Sequence, residues 1–181
     1  MICPTCGWDN VPGNEACSHC QHSLTPLDRP SATNRIERSL MEDRVRDLCS
    51  NPPTTLGPNA TIREAVDLML EKNVGAVLVV DADQKLLGIF SERDLLKKIA
   101  GNYALWQNLR IGDFMTAKPA TVSANDTLNF VLHKMDGGGY RHLPVLENGR
   151  PQRVVSVRDM MRFLIGMCDD PTRRPNTNGR H

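Results

Sequence analysis

The chain carries the same unit twice, and that duplication limits its fold more than any other feature. Gly88-Ile89-Phe90-Ser91-Glu92-Arg93-Asp94-Leu95-Leu96 is echoed 65 residues later by Val154-Val155-Ser156-Val157-Arg158-Asp159-Met160-Met161. Each time a short apolar run, strand-like, meets Ser-x-Arg-Asp and then an apolar pair that reads as helix. Upstream the offset is 66: Pro53-Thr54-Thr55-Leu56 aligns with Pro119-Ala120-Thr121-Val122, Thr61 to Met69 with Thr127 to Met135, and Ala76 to Asp81 with His142 to Glu147. Neither copy, at 51–108 and 109–168, holds enough apolar surface for a core of its own, so the two are expected to fold together.

Each copy reads as strand, helix, strand, strand, helix, which gives an α/β (α+β) fold class. In the first, Thr61 and Glu64 form a T-x-x-E capping box. Ile62, Ala65, Val66, Met69 and Leu70 follow on one helical face. Ala76 to Val80 is a continuous apolar run, as in a strand covered on both sides. Asp81-Ala82-Asp83-Gln84 turns the chain, and the second copy turns at Asn148-Gly149, a strong hairpin signal. Pro144 inside the next-to-last strand predicts an edge or a bulge, because proline gives no ladder donor. Gly137-Gly138-Gly139 should end the preceding helix and let backbone pass close to a neighbour.

Outside the repeat, residues 1–24 contain Cys3-x2-Cys6 and Cys17-x2-Cys20. Two residues between thiolates let one tight turn aim both sulfurs at one ion, and two such turns complete a four-thiolate shell for Zn2+, although iron can occupy the same sulfurs. Gly7 suits the positive φ such turns need. So short a segment cannot build a core, so the metal supplies the folding energy and the closed shell leaves no catalytic position. His19 and His22 read as exposed spectators, and Val11 to Glu15 as a reversing turn. Residues 25–50 read as a Pro-containing linker and then a lead-in helix with Ile36, Leu40, Met41, Val45 and Leu48 on one face. Cys49 reads as a small buried hydrophobe. Residues 169–181 form a polar tail expected to be mobile.

Ser91 stands where strand becomes helix, so its hydroxyl and the following N–H groups lie at the positive end of the helix dipole, an anion site suited to phosphate. Arg93 adds a planar double donor for phosphate oxygens. Asp94 can accept from two vicinal ribose hydroxyls. Ser156, Arg158 and Asp159 repeat the arrangement, with Arg141 and His142 placed to reach phosphate. The same Ser-x-x-Asp is also an N-cap pattern, in which the serine caps the helix and the acid serves the dipole.

These motifs, from Thr61 to Met69, Gly75 to Asp81, Gly88 to Asp94, Met115 to Pro119, Arg141 to Val145 and Ser156 to Asp159, resemble a pair of CBS domains over about 50–168. The resemblance implies a regulatory module that binds an adenosine-containing ligand (AMP, ADP, ATP or similar) in clefts between the copies and forms flat homodimers. It implies Ser and Arg toward phosphate, Asp on ribose, and Thr55, Thr121 and backbone near Ala76 and Arg141 around adenine. Copy two has Arg153 where copy one has Gly88, so the two are expected to bind unequally, copy one being the cleaner by pattern. Residues 1–24 resemble small zinc ribbons of the rubredoxin type.

Net charge of +1, with 40% hydrophobic and 24% charged residues, gives no bulk attraction to nucleic acid or membrane. Nothing approaches the run of about 18 apolar residues that a membrane helix needs. The opening Met1-Ile2-Cys3-Pro4 has no leader character, and metal-type cysteine spacing points to a reducing, cytoplasmic setting. No nucleophile–base–orienter set is present, so an enzyme is not expected. The expectation is a nucleotide-sensing regulator that relays occupancy to a protein partner. The alternative is a regulator that scaffolds protein or contacts nucleic acid through the ribbon without sensing nucleotide. The lack of Lys and Arg in residues 1–24 disfavours nucleic acid.

Overall fold

A computed structural model of the protein describes residues 1–11, 14–24, 35–48, 52–98 and 108–169. Both copies begin their long helix as the sequence dictates. In α2 (Ile62–Lys72) the Thr61 side chain accepts from Glu64 N while Glu64 Oε2 accepts from Thr61 N at 2.6 Å. In α5 (Leu128–Gly138) Thr127 accepts from Phe130 N. Asn73 and Gly139 close these helices in the left-handed region, where the cap N–H groups reach back to the last carbonyls.

Around them the elements follow in order: α1 (Arg35–Glu42), a 3-10 turn (Val45–Asp47), β1 (Thr55–Leu56), α2, β2 (Ala76–Val80), β3 (Leu86–Ser91), α3 (Glu92–Lys98), α4 (Ile111–Phe114), β4 (Thr116–Ala117), β5 (Val122–Ser123), α5, β6 (His142–Glu147), β7 (Arg150–Ser156) and α6 (Val157–Asp169). One sheet has the order β1-β2-β3-β4 and the other β5-β6-β7. Strand β1 runs parallel to β2, and β2 pairs antiparallel with β3, bringing Ala76 opposite Ser91. All five residues of β2 are buried, so its unbroken apolar run needs no alternation.

The described residues group into two compact units, one drawn from 1–50, 122–143 and 155–181, the other from 51–121 and 144–154. In the second unit Ile62, Ala65 and Met69 of α2 join Val77, Val79, Phe90 and Ile111 in one core. On the other face of β2, Ala76, Leu78 and Ile89 are packed by Leu86 and Val154. In the first unit Leu128, Val131 and Met135 of α5 and Met160, Phe163 and Met167 of α6 are buried at helical spacing.

Three expectations need revision. The lead-in is not one helix: α1 ends at Glu42, Arg44 is extended and bridges Thr127, and Val45 and Leu48 are buried beyond the helix. The backbone leaves the helix because Val45 N and Arg46 N bond the carbonyls of Asp126 and Ala124. Of the two alternatives for Pro144, an edge or a bulge, the edge is ruled out, since it lies in the middle strand of its sheet. At the matching place in copy one, Leu78 N donates to Thr54 O at 2.8 Å, a bond proline cannot make. The lost bond is to the segment leading into a two-residue strand, so little of the ladder depends on it. His22 is packed and not an exposed spectator. The linker and Cys49 fall outside the described residues, as do Pro12, Gly13 and residues 170–181.

The turns behave as read. Asn148 and Gly149 both have positive φ, 52° and 78°, the signature of a type I′ hairpin. Asp81 Oδ1 accepts from Asp83 N and Lys85 N, holding the first copy's turn. Asn14 N donates to Val11 O at 3.2 Å between the two cysteine pairs.

Candidate functional site: a four-thiolate centre and two Ser-x-Arg-Asp turns

The four cysteine sulfurs lie within 4.8 Å of one another. Cys3 Sγ is 3.6 Å from Cys20 Sγ, and Cys6 Sγ 3.5 Å from Cys17 Sγ. Zinc–sulfur bonds of about 2.3 Å in a tetrahedron would set the sulfurs roughly 3.8 Å apart, so the donor set fits a zinc ion. Protonation points the same way. Cys17 is held down to about 6: burial opposes its charge, but N–H donors from Cys20, His19 and Asn10 outweigh it. Cys6 is pushed up to about 12: the Trp8 N–H favours its thiolate, but desolvation and the sulfurs of Cys20, Cys17 and Cys3 prevail. Four thiolates this close repel one another until a cation joins them.

The cradle is itself a duplication that the cysteine spacing only half reveals. Cys3 N donates to Trp8 O and Gly7 N to Cys3 O; 14 residues on, Cys17 N donates to His22 O and Gln21 N to Cys17 O. The bridges Ile2–Asp9 and Ala16–Ser23 repeat at the same offset. Gly7 has φ +75°, and Gln21 takes φ +60° in the same role. Asn10 was not singled out from sequence. Its side chain is buried, accepts from Ser18 N at 2.9 Å, and donates to Trp8 O and to Cys17 Sγ, tying one knuckle to the other. It supports a ligand sulfur from outside the shell, the way second partners tune metal sites.

Within its unit the ribbon is seated on α5. A Cβ on Gly137 would meet Thr5 Oγ1 and come within 3.0 Å of the His22 ring, so the glycine admits both knuckles onto the helix. His22 stands edge-on to His133 at 6.4 Å between centroids. Its Nε2 is buried without a hydrogen-bond partner among the described residues, as is Thr5 Oγ1. His22 is therefore a packing residue and not an exposed spectator. His19 is exposed and stacks on Trp8, centroids 5.2 Å apart. Beside the contact, Met1, Ile2, Met41, Asp126, Thr127, Asn129 and Phe130 line a cleft of about 390 Å³. No residue predicted for nucleotide binding lines it.

Both Ser-x-Arg-Asp segments sit where a strand becomes a helix. Glu92 N bonds Gly75 O and Val157 N bonds Arg141 O, so the turn in each copy is laced to the start of the neighbouring strand. That places Ala76 beside Ser91, and Arg141 and His142 beside Ser156; Thr55 is one strand further over in the first copy. Thr121 immediately precedes β5. Arg93, Arg158 and Arg141 are exposed. In both turns the capping reading is realised. Ser91 Oγ donates to Asp94 Oδ2 at 2.6 Å and Ser91 N at 3.0 Å; Ser156 Oγ and N do the same to Asp159 Oδ2 at 2.6 and 2.8 Å. Asp94 is further engaged through Oδ1, which accepts from Lys98 Nζ at 2.9 Å and Thr116 Oγ1 at 3.1 Å. Burial works against its charge, yet the Ser91 hydroxyl, Lys98 and the Ser91 N–H together hold its carboxyl below the ordinary range.

Gly88 has a local cause. A Cβ there would lie 2.9 Å from Thr116 O and against Met115, because β4 pairs with β3 at that point, Gly88 opposite Ala117. The glycine belongs to strand packing, and Arg153 in copy two is not by itself a mark of a lost ligand site.

The fold and these sites define a doubled strand-helix-strand-strand-helix protein with an N-terminal four-cysteine ribbon. The CBS domain profile matches residues 45–101 and 111–166, and the chain belongs to the CBS-domain family. It is 32% identical over 126 residues to an uncharacterized 17.7 kDa protein of Acidianus ambivalens, covering 69% of this chain and 75% of that one. It spans less than half the length of several other curated relatives that it matches. Among solved structures, the CBS-domain protein ATU1752 of Agrobacterium tumefaciens superposes with TM-score 0.62 at 36% identity, covering 66% of this chain and 98% of that one. The CBS domain pair of protein MJ0100, in complex with 5′-methylthioadenosine and S-adenosyl-L-methionine, gives TM-score 0.62 at 28% identity over 68% of this chain and 97% of that one.

Proposed function

We propose that the protein is a regulatory sensor that binds an adenosine-containing ligand through its Ser-x-Arg-Asp turns and relays occupancy to a partner. Ser91 and Arg93, and Ser156 and Arg158 with Arg141 and His142, serve the phosphate or other 5′ substituent. Asp94 and Asp159 serve the ribose diol, and Thr55, Ala76 and Thr121 flank the base. The carrying observation is the duplicated turn: in both copies a serine hydroxyl and an aspartate meet at a strand-to-helix junction, with an exposed arginine between them. The adenosyl ligands of the MJ0100 pair support it. The ribbon carries zinc, with a structural role, and no catalytic activity is assigned. Exposed Leu96 on α3 and its counterpart Met161, with Ile165, on α6 supply apolar surface for a homodimer of the CBS pair.

Thermal unfolding of the zinc-loaded protein with AMP, ADP, ATP, S-adenosylmethionine and 5′-methylthioadenosine tests this. A ligand at 100 times its Kd stabilises by about 2.7 kcal/mol, which is a rise of several degrees for a protein of this size. No rise with any of the five at millimolar concentration would sink the reading. A scaffolding role for the ribbon is favoured by one separate feature: Trp8, Ile2 and Val11 are 51%, 58% and 69% exposed. If that surface is the partner contact, Trp8→Ala abolishes co-purification of the partner while leaving nucleotide response intact.

A further inference from the structure

The two turns differ in what their aspartates have left to offer. A carboxylate presents about four lone-pair sites. Asp94 has all four taken: Ser91 N and Ser91 Oγ on Oδ2, Lys98 Nζ and Thr116 Oγ1 on Oδ1. Lys98 is also fixed from its other side, donating to Phe114 O at 2.7 Å. Asp159 has the same two donors on Oδ2, but the nearest partner of its Oδ1 among the described residues is Arg162, whose Nη1 stands 3.9 Å away, beyond hydrogen-bond reach. The cause is in the sequence. The position matching Lys98 in copy two is Phe163, which is buried in the core and cannot reach a carboxylate as a donor.

From this difference we infer that Lys98 sets the order of occupancy: the copy-two turn, at Asp159, takes the ligand's vicinal diol first, while the copy-one turn, at Asp94, is held closed by Lys98. The inference rests on the adenosine-binding reading above and reverses the ranking that Gly88 suggested, since that glycine answers to β4. A diol can enter at Asp94 only by displacing Lys98 or Thr116. At Asp159 no donor lies within hydrogen-bond reach of Oδ1 among the described residues. Lys98 is thus a specificity-determining residue that touches the acceptor and not the ligand.

Isothermal titration of the full zinc-loaded chain with AMP and with 5′-methylthioadenosine, both of which carry the diol, tests it, with 2′-deoxy-AMP as control. The expected result is one equivalent for the wild type. Asp159→Asn should weaken it by roughly tenfold to a hundredfold, the worth of hydrogen bonds to a charged acceptor. Lys98→Met should add a second equivalent, and 2′-deoxy-AMP should bind neither. Should Asp159→Asn unfold, Lys98→Met still decides the matter. Two equal equivalents in the wild type or an unchanged stoichiometry in Lys98→Met would overturn the inference while leaving the adenosine reading standing. No uptake of either probe by wild type or Lys98→Met would remove that reading, and this inference with it.

Discussion

At the residue scale, the same short pattern does two jobs at once. Ser-x-x-Asp is a helix cap in both copies, with the serine hydroxyl and N–H on one carboxylate oxygen. What remains on the other oxygen decides what else it can do. Capping and ligand binding therefore do not exclude each other, and the sequence, which offered them as alternatives, could not show that among the described residues one carboxylate has donors on both oxygens and the other on one. The depressed Asp94 carboxyl carries a stability consequence with a definite sign. Its folded value lies below the ordinary 3.8, so its contribution is present above that pH and lost as pH falls through the folded value. Asp94→Asn should cost roughly 1–3 kcal/mol at neutral pH by loss of charge-assisted bonds. The gap between variant and wild type, measured by urea unfolding, should narrow as pH falls below 3.8; a gap that stays constant there would contradict the assignment.

At the scale of elements, two glycines mark where backbone meets backbone or side chain. Gly88 lets β4 lie against β3, and Gly137 lets the ribbon sit on α5. Gly88→Val is expected to destabilise the unit containing copy one by about 1–3 kcal/mol, the range for forcing extra atoms into a packed site, read as a lower urea midpoint. Gly137→Leu acts elsewhere: it should lift Thr5 and His22 off the helix and raise the rate at which a chelating dye strips metal from the ribbon, with the midpoint of the other unit unchanged. Equal stripping rates for variant and wild type would mean that the seat on α5 protects nothing. The Gly137-Gly138-Gly139 run announced in sequence that something comes close. Only the folded chain shows that it is the ribbon, more than 110 residues upstream.

At the scale of the molecule, the segment that opens each family match, at Val45 and at Ile111, bonds to the other copy. Val45 N and Arg46 N bond the carbonyls of Asp126 and Ala124, and Leu128 N bonds Asp43 O. With the numbers moved by 66, Ile111 N and Gly112 N bond Ala60 O and Pro58 O, and Ile62 N bonds Leu109 O. The signal was present, since Val45-Arg46-Asp47-Leu48 matches Ile111-Gly112-Asp113-Phe114 at the repeat's own offset. Helical spacing alone does not separate the first of these from α1. The proposed zinc belongs to this scale too. Structural zinc in small ribbons is worth roughly 10–16 kcal/mol of folding energy, so chelation at neutral pH should release the ion and abolish hydrogen-exchange protection at Cys3, Gly7, Cys17 and Gln21 amides. Protection that survives complete chelation would show a ribbon folded without metal. By itself the sequence determined the doubled unit, its helix caps and hairpin turns, the four-sulfur shell and the family, because these depend on spacing and on neighbours within a few residues. Tertiary structure alone decided that Pro144 lies in a central strand, that His22 is packed against α5, that Asn10 joins the two knuckles, and that Lys98 bonds Asp94 while Asp159 has no matching donor among the described residues. Those outcomes depend on which distant groups arrive within hydrogen-bond reach of one another, and sequence periodicity carries no information about that distance.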